Sequence, residues 1–255
     1  MSSVELLDKT RKINRLLHNN KTTKVVFNDI CNCVAELIGS CTFVLSKKGK
    51  VLGCSDGSEQ HAKPFGDDVG DFITKEVNER LLEILSTQEN VNTETLGIEM
   101  PAGNQWFTMI APIYIAGERL GTLFVCRTER GYSIDDIILC EYATTVVGLE
   151  IMRSLSEEIA EERNREQIVR SAAGSLSLSE AKAMKQILME INGTEGTIVA
   201  SRVADRVGIT RSVIVNGLRK LESAGVIECK SSGMKGTFIK VINSEIYDEI
   251  ADDLK

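Results

Sequence analysis

The sequence is poor in the residues that build metal sites and membrane spans. Its 255 residues include two histidines, and its seven cysteines are dispersed rather than set at zinc-ligand spacing. No apolar run approaches the ~18 residues that a membrane span requires, and the N-terminus lacks the apolar core of a signal peptide. These absences predict a cytoplasmic protein with reduced thiols, no metal and no membrane contact.

Enzyme signatures are also scarce. A phosphodiesterase would need clustered His, Asp and Glu, and a kinase would need a phosphate-binding loop; neither pattern occurs. Residues 47–50 carry lysines and a glycine, but they lie between two predicted strands and lack the Gly-x-x-x-x-Gly-Lys spacing. We therefore expect no enzyme, and a redox- or metal-responsive transcription factor is the alternative to the interpretation that follows.

The residues that are present indicate a globular protein of two domains. Apolar residues make up 42% of the chain and charged residues 26%. Apolar periodicity predicts helices over 4–18, 27–38 and 72–85, a hairpin over 42–54, and strands over 93–100, 106–115 and 120–127. This order predicts an α+β fold in which helices pack on an antiparallel sheet. Residues 55–71 form a long loop, a feature that often closes over a ligand.

A long charged helix is predicted to join the two domains. It begins at Ser133, with Asp136 as a capping partner, and becomes highly charged from 156 to 170. No proline follows Pro112, so nothing in the sequence interrupts it. We predict a sensing domain over 1–155, a helical linker over 156–175 that is solvent-facing or dimer-forming, and a second domain over 176–255. Ser179 is predicted to cap a helix over 180–191.

Residues 200–219 have the pattern of a helix-turn-helix. Gly208 stands where the first helix must stop, because glycine adopts the left-handed conformation at little cost. Ala204 allows the two helices to cross closely, and Thr210 can cap the second helix through its side-chain oxygen. The predicted buried face consists of Val203, Ile209, Ile214 and Leu218.

A hairpin follows the second helix, as in a winged helix. Residues 225–230 and 237–242 are predicted strands around a turn with a glycine at each end. From 200 to 240 there are eight basic and three acidic residues, in a chain whose net charge is −7. A basic island in an acidic protein indicates a nucleic-acid face, whereas an ordinary helical hairpin or dimerisation module would leave it unexplained.

We predict that the second helix enters the major groove of a double-stranded DNA operator and that lysines of the wing meet backbone phosphate. The predicted DNA contacts are Ala200, Ser201, Arg202, Thr210, Arg211, Ser212, Val215, Asn216, Arg219, Lys220, Lys235 and Lys240.

Over essentially the whole chain, the sequence resembles the CodY family of nutrient-responsive repressors. The most specific matches are 207–216, 218–227 and 233–237, and further matches lie at 9–11, 43–46, 117–123 and 141–151. The resemblance implies an N-terminal GAF domain that binds branched-chain amino acids, chiefly isoleucine. It also implies a long helical linker, a C-terminal winged helix-turn-helix, a homodimer, and GTP as a second effector.

The resemblance further implies a ligand pocket, with one departure from the family. Family members carry an Arg-Met pair whose arginine meets the ligand carboxylate, and residues 55–71 lack this pair. Lys63 is the nearest basic candidate, and backbone amides of the loop are the alternative. The implied ligand-binding residues are Lys63, Phe65, Phe72, Thr95, Leu96, Gly97 and Ile98. For Phe72, Leu96 and Ile98 the alternative is a place in the apolar core, and a different small metabolite is the alternative ligand.

Overall fold

The computed structural model describes residues 2–18, 27–55, 64–65, 69–191, 193–231, 233 and 236–252. The chain forms two compact units, residues 1–155 and residues 156–255, and each is described by itself. None of the helices within these described ranges is long and apolar enough to cross a membrane.

The first unit is an α+β domain built on an antiparallel sheet. Its elements are α1 (Ser3–His18), α2 (Phe27–Ile38), β1 (Cys41–Ser46), β2 (Val51–Cys54), α3 (Lys75–Leu82), β3 (Gln88–Glu89), β4 (Phe107–Ile115), β5 (Glu118–Arg127) and the first part of α4 (Ile134–Gly174). The strands lie in the order β2-β1-β5-β4-β3, and all neighbours are antiparallel. The predicted fold class, helices on an antiparallel sheet, is confirmed.

Both faces of this sheet are covered, because side chains alternate from face to face along each strand. Val44 and Met109 belong to one face, where they share a buried core with residues of α1, α2 and α4. Phe43, Ile110 and Phe124 belong to the other face, where they share a second core with residues of α3. In the strand register, Phe124 lies opposite both Phe43 and Ile110. The second face holds three of the predicted ligand-binding residues, Phe65, Leu96 and Ile98.

The strand predicted over 93–100 is wrong, because Thr93–Leu96 form a 3-10 helix. Asn92 Oδ1 accepts a hydrogen bond from the backbone N–H of Glu94 at 3.0 Å. Gly97 has a φ of 74°, in the left-handed region. Both local features favour a tight turn over an extended strand. The short strand β3 occupies the sheet edge beside β4 instead, and α3 begins at Lys75, later than predicted.

A buried arginine joins the end of β5 to the start of α4. Arg127 donates to the Ile38 carbonyl at 2.6 Å and to Asp136 Oδ2 at 2.8 Å. Asp136 and Ser133 exchange hydrogen bonds of 3.0 and 3.3 Å, which confirms the predicted capping pair. Burial disfavours the charged form of Asp136, but hydrogen bonds from Ser133 and Arg127 outweigh it and lower the pKa of this carboxyl.

The second unit contains the end of α4 and a small antiparallel sheet surrounded by helices. Its further elements are α5 (Leu178–Ile191), β6 (Glu195–Ile198), α6 (Ala200–Val207), α7 (Arg211–Ser223), β7 (Ile227–Ser231), β8 (Thr237–Val241) and α8 (Ile246–Asp252). The strands lie in the order β6-β8-β7. Val169 of α4, Met184 of α5 and Leu221 of α7 are buried in one core.

The cap of α5 is Ser177, and the prediction that Ser179 fills this role is wrong. The Ser177 N–H donates to Glu180 Oε2 at 2.7 Å, and the Glu180 N–H donates to Ser177 Oγ at 3.3 Å. This reciprocal pair is a capping box. The helix therefore starts at Leu178, earlier than the apolar pattern indicated.

Candidate nucleic-acid interface and effector pocket

The α6–α7 pair forms a tight helix-turn-helix. Gly208 ends α6 with a φ of 74°, the left-handed conformation predicted for it. The N–H groups of Gly208 and Ile209 both donate to the Ala204 carbonyl, at 3.0 and 3.1 Å. Thr210 has the extended conformation of an N-cap, but its hydroxyl lies 2.8 Å from Ser212 Oγ and caps no backbone N–H. The predicted side-chain cap is therefore wrong, although the turn is as predicted.

The apolar face of this motif is buried as predicted. Val203, Ile214 and Leu218 are buried, and Ile209 packs against the same core. Gly217 faces α5 so closely that an added Cβ would lie 3.0 Å from the Met184 methyl carbon. This close approach fixes the rotation of α7 about its axis, so the opposite face of the helix points to solvent.

The solvent face of α7 is polar and basic, and the start of α6 adds to it. The first turn of α7 contains Arg211 and no acidic residue, so the end that such motifs place in the major groove carries positive charge. The predicted contacts in the helix-turn-helix that are exposed are Ser201, Arg202, Thr210, Arg211, Ser212, Asn216, Arg219 and Lys220, and those that are half-buried are Ala200 and Val215.

The hairpin β7–β8 follows α7 as predicted, and β6 extends it into a sheet that the sequence did not reveal. Lys240 on the central strand β8 is exposed, and in the register it lies between Glu195 of β6 and Glu228 of β7. Sequence reasoning missed β6 because it is short and follows a glycine-containing turn. Lys235 lies outside the described residues.

In the first unit, aromatic rings gather on the second face of the sheet. The Phe65 ring centroid lies 5.5 Å from that of Phe43 and 4.8 Å from that of Phe124, both in edge-to-face geometry. Leu96 and Ile98 are buried in the same core. The structure thus brings together three of the implied ligand contacts, Phe65, Leu96 and Ile98, and adds Phe43 and Phe124 to them.

Other implied ligand contacts are exposed. Phe72 is 64% exposed and forms an isolated β-bridge with Lys50. Thr95 donates its hydroxyl to the Asn92 carbonyl at 2.7 Å, and Gly97 lies beside the 3-10 helix, at the surface. Lys63 lies outside the described residues.

Thr108 is a candidate ligand contact that sequence reasoning missed. It is completely buried, and its hydroxyl has no hydrogen-bond partner among the described residues. By strand alternation it shares the face of Ile110, and it lies opposite Cys126 of the aromatic core. A buried hydroxyl of this kind is a polar group that a ligand in an apolar pocket can use. The alternating pattern of β4 was the signal that could have identified it.

Comparison with known families covers both units. The CodY GAF-like domain matches residues 5–175, and the CodY helix-turn-helix domain matches residues 194–253. The chain belongs to the CodY family. Two curated relatives are both named Global transcriptional regulator CodY. The one from Thermoanaerobacter sp. (strain X514) is 45% identical over 248 residues, which are 96% of this chain and 97% of the relative. The one from Bacillus cytotoxicus is 44% identical over 254 residues, which are 97% of this chain and 98% of the relative.

A solved CodY structure is also similar to part of the chain. It is described as the cofactor binding GAF domain of the nutrient sensor CodY from Clostridium difficile. It is 34% identical, covers 59% of this chain and 99% of the solved chain, and has a TM-score of 0.43.

On the exposed face of α7 in this CodY family chain, Lys220 is paired with other groups of the protein. The Lys220 ammonium donates to the Ser175 carbonyl at 2.9 Å and to Glu180 Oε2 at 2.7 Å. Its partners lie 45 and 40 residues away in sequence, so the helical pattern of α7 alone placed it with the DNA contacts. The structure ties it to the end of α4 and the start of α5.

Four cysteines of this CodY family chain are buried, and Cys33, Cys54 and Cys229 are partly buried. Burial raises the pKa of Cys31 and Cys140, and it raises the pKa of Cys229 to about 11. A raised pKa favours the protonated thiol near neutral pH, and the thiolate is the nucleophilic form. Within the described ranges, no group of three or more His, Cys, Asp or Glu side chains could hold a metal ion.

Proposed function

We propose that this CodY family chain is a homodimeric transcriptional repressor whose affinity for a double-stranded DNA operator depends on a branched-chain amino acid. Isoleucine is the first candidate effector, and GTP is the second. The observation that carries the proposal is the exposed basic face of α7, which lies in a helix-turn-helix of a family whose curated relatives are named transcriptional regulators.

On this proposal, α7 lies in the major groove. Arg211 and Arg219 are eight residues apart on its exposed face, a distance of ~12 Å along a helix, which is enough to span several base pairs. Arginine suits guanine and asparagine suits adenine, so Arg211 and Asn216 are assigned to base edges. Arg202 at the start of α6 and Lys240 and Lys235 of the wing are assigned to phosphates.

The effector is proposed to bind at the aromatic core of the first unit. A branched aliphatic side chain would pack against Phe43, Phe65 and Phe124, which already bury apolar surface there. The Thr108 hydroxyl would pair with a polar group of the amino acid. Lys63, or backbone amides of residues 55–71, would hold the carboxylate. For GTP we assign no residues, because the sequence has no phosphate-loop pattern.

These assignments give each segment of the chain a separate role. We propose that residues 1–155 sense the effector, that residues 156–175 form a helical linker, and that residues 176–255 bind DNA. A ligand can change operator affinity only by its differential affinity for two states of the protein, with a typical coupling of ~1–3 kcal/mol.

A dimer is proposed because α4 exposes an apolar stripe. Five apolar side chains of α4 in the first unit are between 40% and 76% exposed: Ile134, Ile138, Leu149, Met152 and Leu155. At 100° per residue they fall on one side of the helix. A second copy of the chain would cover the stripe, since two-fold association brings the same patch of each copy together.

The test uses the full-length chain. The protein selects binders from a pool of random-sequence duplexes, and fluorescence anisotropy then measures its affinity for a selected duplex, with and without isoleucine, valine, leucine or GTP. We expect saturable binding that weakens as salt rises and that changes when isoleucine is added. If no duplex is selected, the DNA proposal is wrong. If binding occurs but isoleucine leaves it unchanged and does not bind in calorimetry, the effector proposal is wrong.

A further inference from the structure

Lys220 stands on the recognition helix, and its ammonium is held at the surface by two other elements of the protein. Its ammonium makes an ion pair with Glu180 at 2.7 Å, and the two side chains are 40% and 9% exposed. Lysines that contact phosphate are normally free, hydrated and mobile. Lys220 instead makes specific contacts to two other elements.

Glu180 needs this lysine. A carboxylate in a largely buried position requires both a counter-charge and hydrogen-bond donors. Its Oε2 atom receives two donors at 2.7 Å, the Ser177 N–H of the α5 cap and the Lys220 ammonium. The hydrogen bond from Lys220 is the main cause of a lowered pKa for Glu180, which agrees with a charged pair.

The same ammonium also reaches the end of α4. The Ser175 carbonyl, which accepts from it at 2.9 Å, follows directly after Gly174, the last residue of α4. Carbonyls at a helix C-terminus lack partners within the helix and carry partial negative charge. Lys220 satisfies one of these groups, so a single side chain joins α7 to both α4 and α5.

The junction of α4 and α7 contains both a packed apolar core and a groove. Ala172 and Ala173 near the end of α4 are buried in the same core as Met184 and Leu218. A groove of about 720 Å³ lies between α4 and α7 and is lined by polar and apolar residues, including Gln167, Ile168 and Arg219. Lys220 and Ser175 are part of its walls, so their hydrogen bond links the two sides where side-chain packing does not.

We propose that Lys220 is a positioning residue for DNA recognition: it holds the recognition helix against the α4–α5 junction and makes no phosphate contact. The inference rests on the proposed use of α7 as the recognition helix. A displacement of the end of α4 then reaches α7 through this ammonium, so the linker acts on the angle at which α7 meets the groove.

The test compares variants of the full-length chain on two duplexes, one selected by the wild-type protein and one of equal length with scrambled sequence. Lys220→Met removes the lysine side of the pair. Glu180→Gln removes the charge of the buried partner but keeps a carbonyl oxygen for Ser177. Lys182→Met on α5, an exposed lysine, is the matched control. Thermal unfolding sets a temperature at which every variant is folded.

We expect Lys220→Met and Glu180→Gln each to weaken binding to the selected duplex by about tenfold, the scale of one misplaced base contact. Affinity for the scrambled duplex and the dependence of affinity on salt should stay as in the wild type, because phosphate contacts are retained. Lys182→Met should change neither affinity.

Three outcomes overturn the inference. If Lys220→Met weakens binding to both duplexes equally and lowers the salt dependence of log affinity by about one unit of slope, while Glu180→Gln binds normally, Lys220 contacts phosphate. If both variants weaken binding to both duplexes equally and leave the salt dependence unchanged, the pair only maintains the fold. If neither variant changes binding to the selected duplex, Lys220 does not position α7. Failure of the wild-type protein to select any duplex is a separate result, because it overturns the DNA proposal before any variant is compared.

Discussion

At the scale of single residues, the buried polar groups of the first unit divide into those with partners and those without. Arg119 donates to the carbonyls of Leu81 and Ile84 and to the Thr122 hydroxyl, so its charge is satisfied within the fold. Thr108 has no such partner among the described residues. A buried polar group without a hydrogen-bond partner lowers the stability of the fold. We therefore expect a ligand contact at such a group.

Thr108→Val should therefore separate stability from ligand binding. Valine has the shape of threonine but lacks the hydroxyl, so replacing a buried, unpaired hydroxyl should stabilise the fold by ~1 kcal/mol. The same change should weaken isoleucine binding several-fold, because the ligand loses one hydrogen-bond partner. Urea unfolding and isothermal titration of isoleucine measure the two effects. Thr74→Val is the control, since Thr74 is exposed and its hydroxyl caps no helix N–H; an isoleucine affinity of Thr108→Val equal to that of the wild type would remove Thr108 from the site.

Asp136→Asn tests the pair between β5 and α4. The pKa of Asp136 is lowered in the folded protein, so the folded state binds fewer protons than the unfolded state as pH falls. Its stabilisation is therefore present above the unfolded-state pKa of ~3.9 and is lost as pH falls through the lower folded-state value. At neutral pH the variant should be less stable by ~3 kcal/mol, because Arg127 loses its buried counter-charge.

The measurement for this pair is urea unfolding followed by circular dichroism from neutral to acid pH. The difference in the free energy of unfolding between wild type and Asp136→Asn should become smaller as the solution becomes acidic. Glu141→Gln, an exposed carboxylate on the same helix, should show no such difference. If the free energies of unfolding of wild type and Asp136→Asn differ by the same amount at every pH, the proposed role of the charge is wrong.

At the scale of elements, the sequence predicts what local signals determine. The helix-turn-helix was predictable because Gly208 and Ala204 are informative by themselves and the helical period places Ile214 and Leu218 inside. The turn at Asn92 was mistaken for a strand, because an Asn side chain bonded to the backbone competes with extended structure. The role of Lys220 could not be predicted from the sequence, because Glu180 lies 40 residues away and no local pattern indicates the pair.

The recognition helix itself is tested by Arg211→Ala and Arg219→Ala. Each variant should bind the selected duplex more weakly by ~1–3 kcal/mol and bind isoleucine as the wild type does. Anisotropy with the selected duplex and calorimetry with isoleucine give the two values. Arg170→Ala is the matched control, because Arg170 lies on α4 and pairs with Glu249 at 3.6 Å. Wild-type DNA affinity in both α7 variants would show that this helix face is not the one that meets DNA.

At the scale of the whole molecule, charge and apolar surface are divided between different parts of the chain. The basic face lies in the second unit, whereas the apolar stripe of Ile134, Ile138, Leu149, Met152 and Leu155 lies on α4 in the first unit. The sequence predicted that the solvent-facing or dimer-forming part of this helix is the linker over 156–175. The stripe on the first part could not be separated from the core by periodicity, because the sheet covers other apolar residues of the same helix, such as Val147.

A charge placed in the stripe should break the proposed dimer and, through it, operator binding. Leu149→Lys combined with Met152→Lys puts two ammonium groups on each copy where apolar surface would be buried, and like charges would meet across a two-fold interface. Both positions are at least 40% exposed, so the isolated chain should still fold.

Sedimentation velocity should show that the double variant is a monomer. DNA affinity should fall strongly, because one winged helix would bind where two bound together. Leu178→Lys changes a more accessible leucine on α5, 65% exposed, and should leave both the sedimentation and the DNA affinity unchanged. A double variant that still sediments as a dimer would place the interface elsewhere, and a monomer with full operator affinity would show that the chain does not need two copies to recognise DNA.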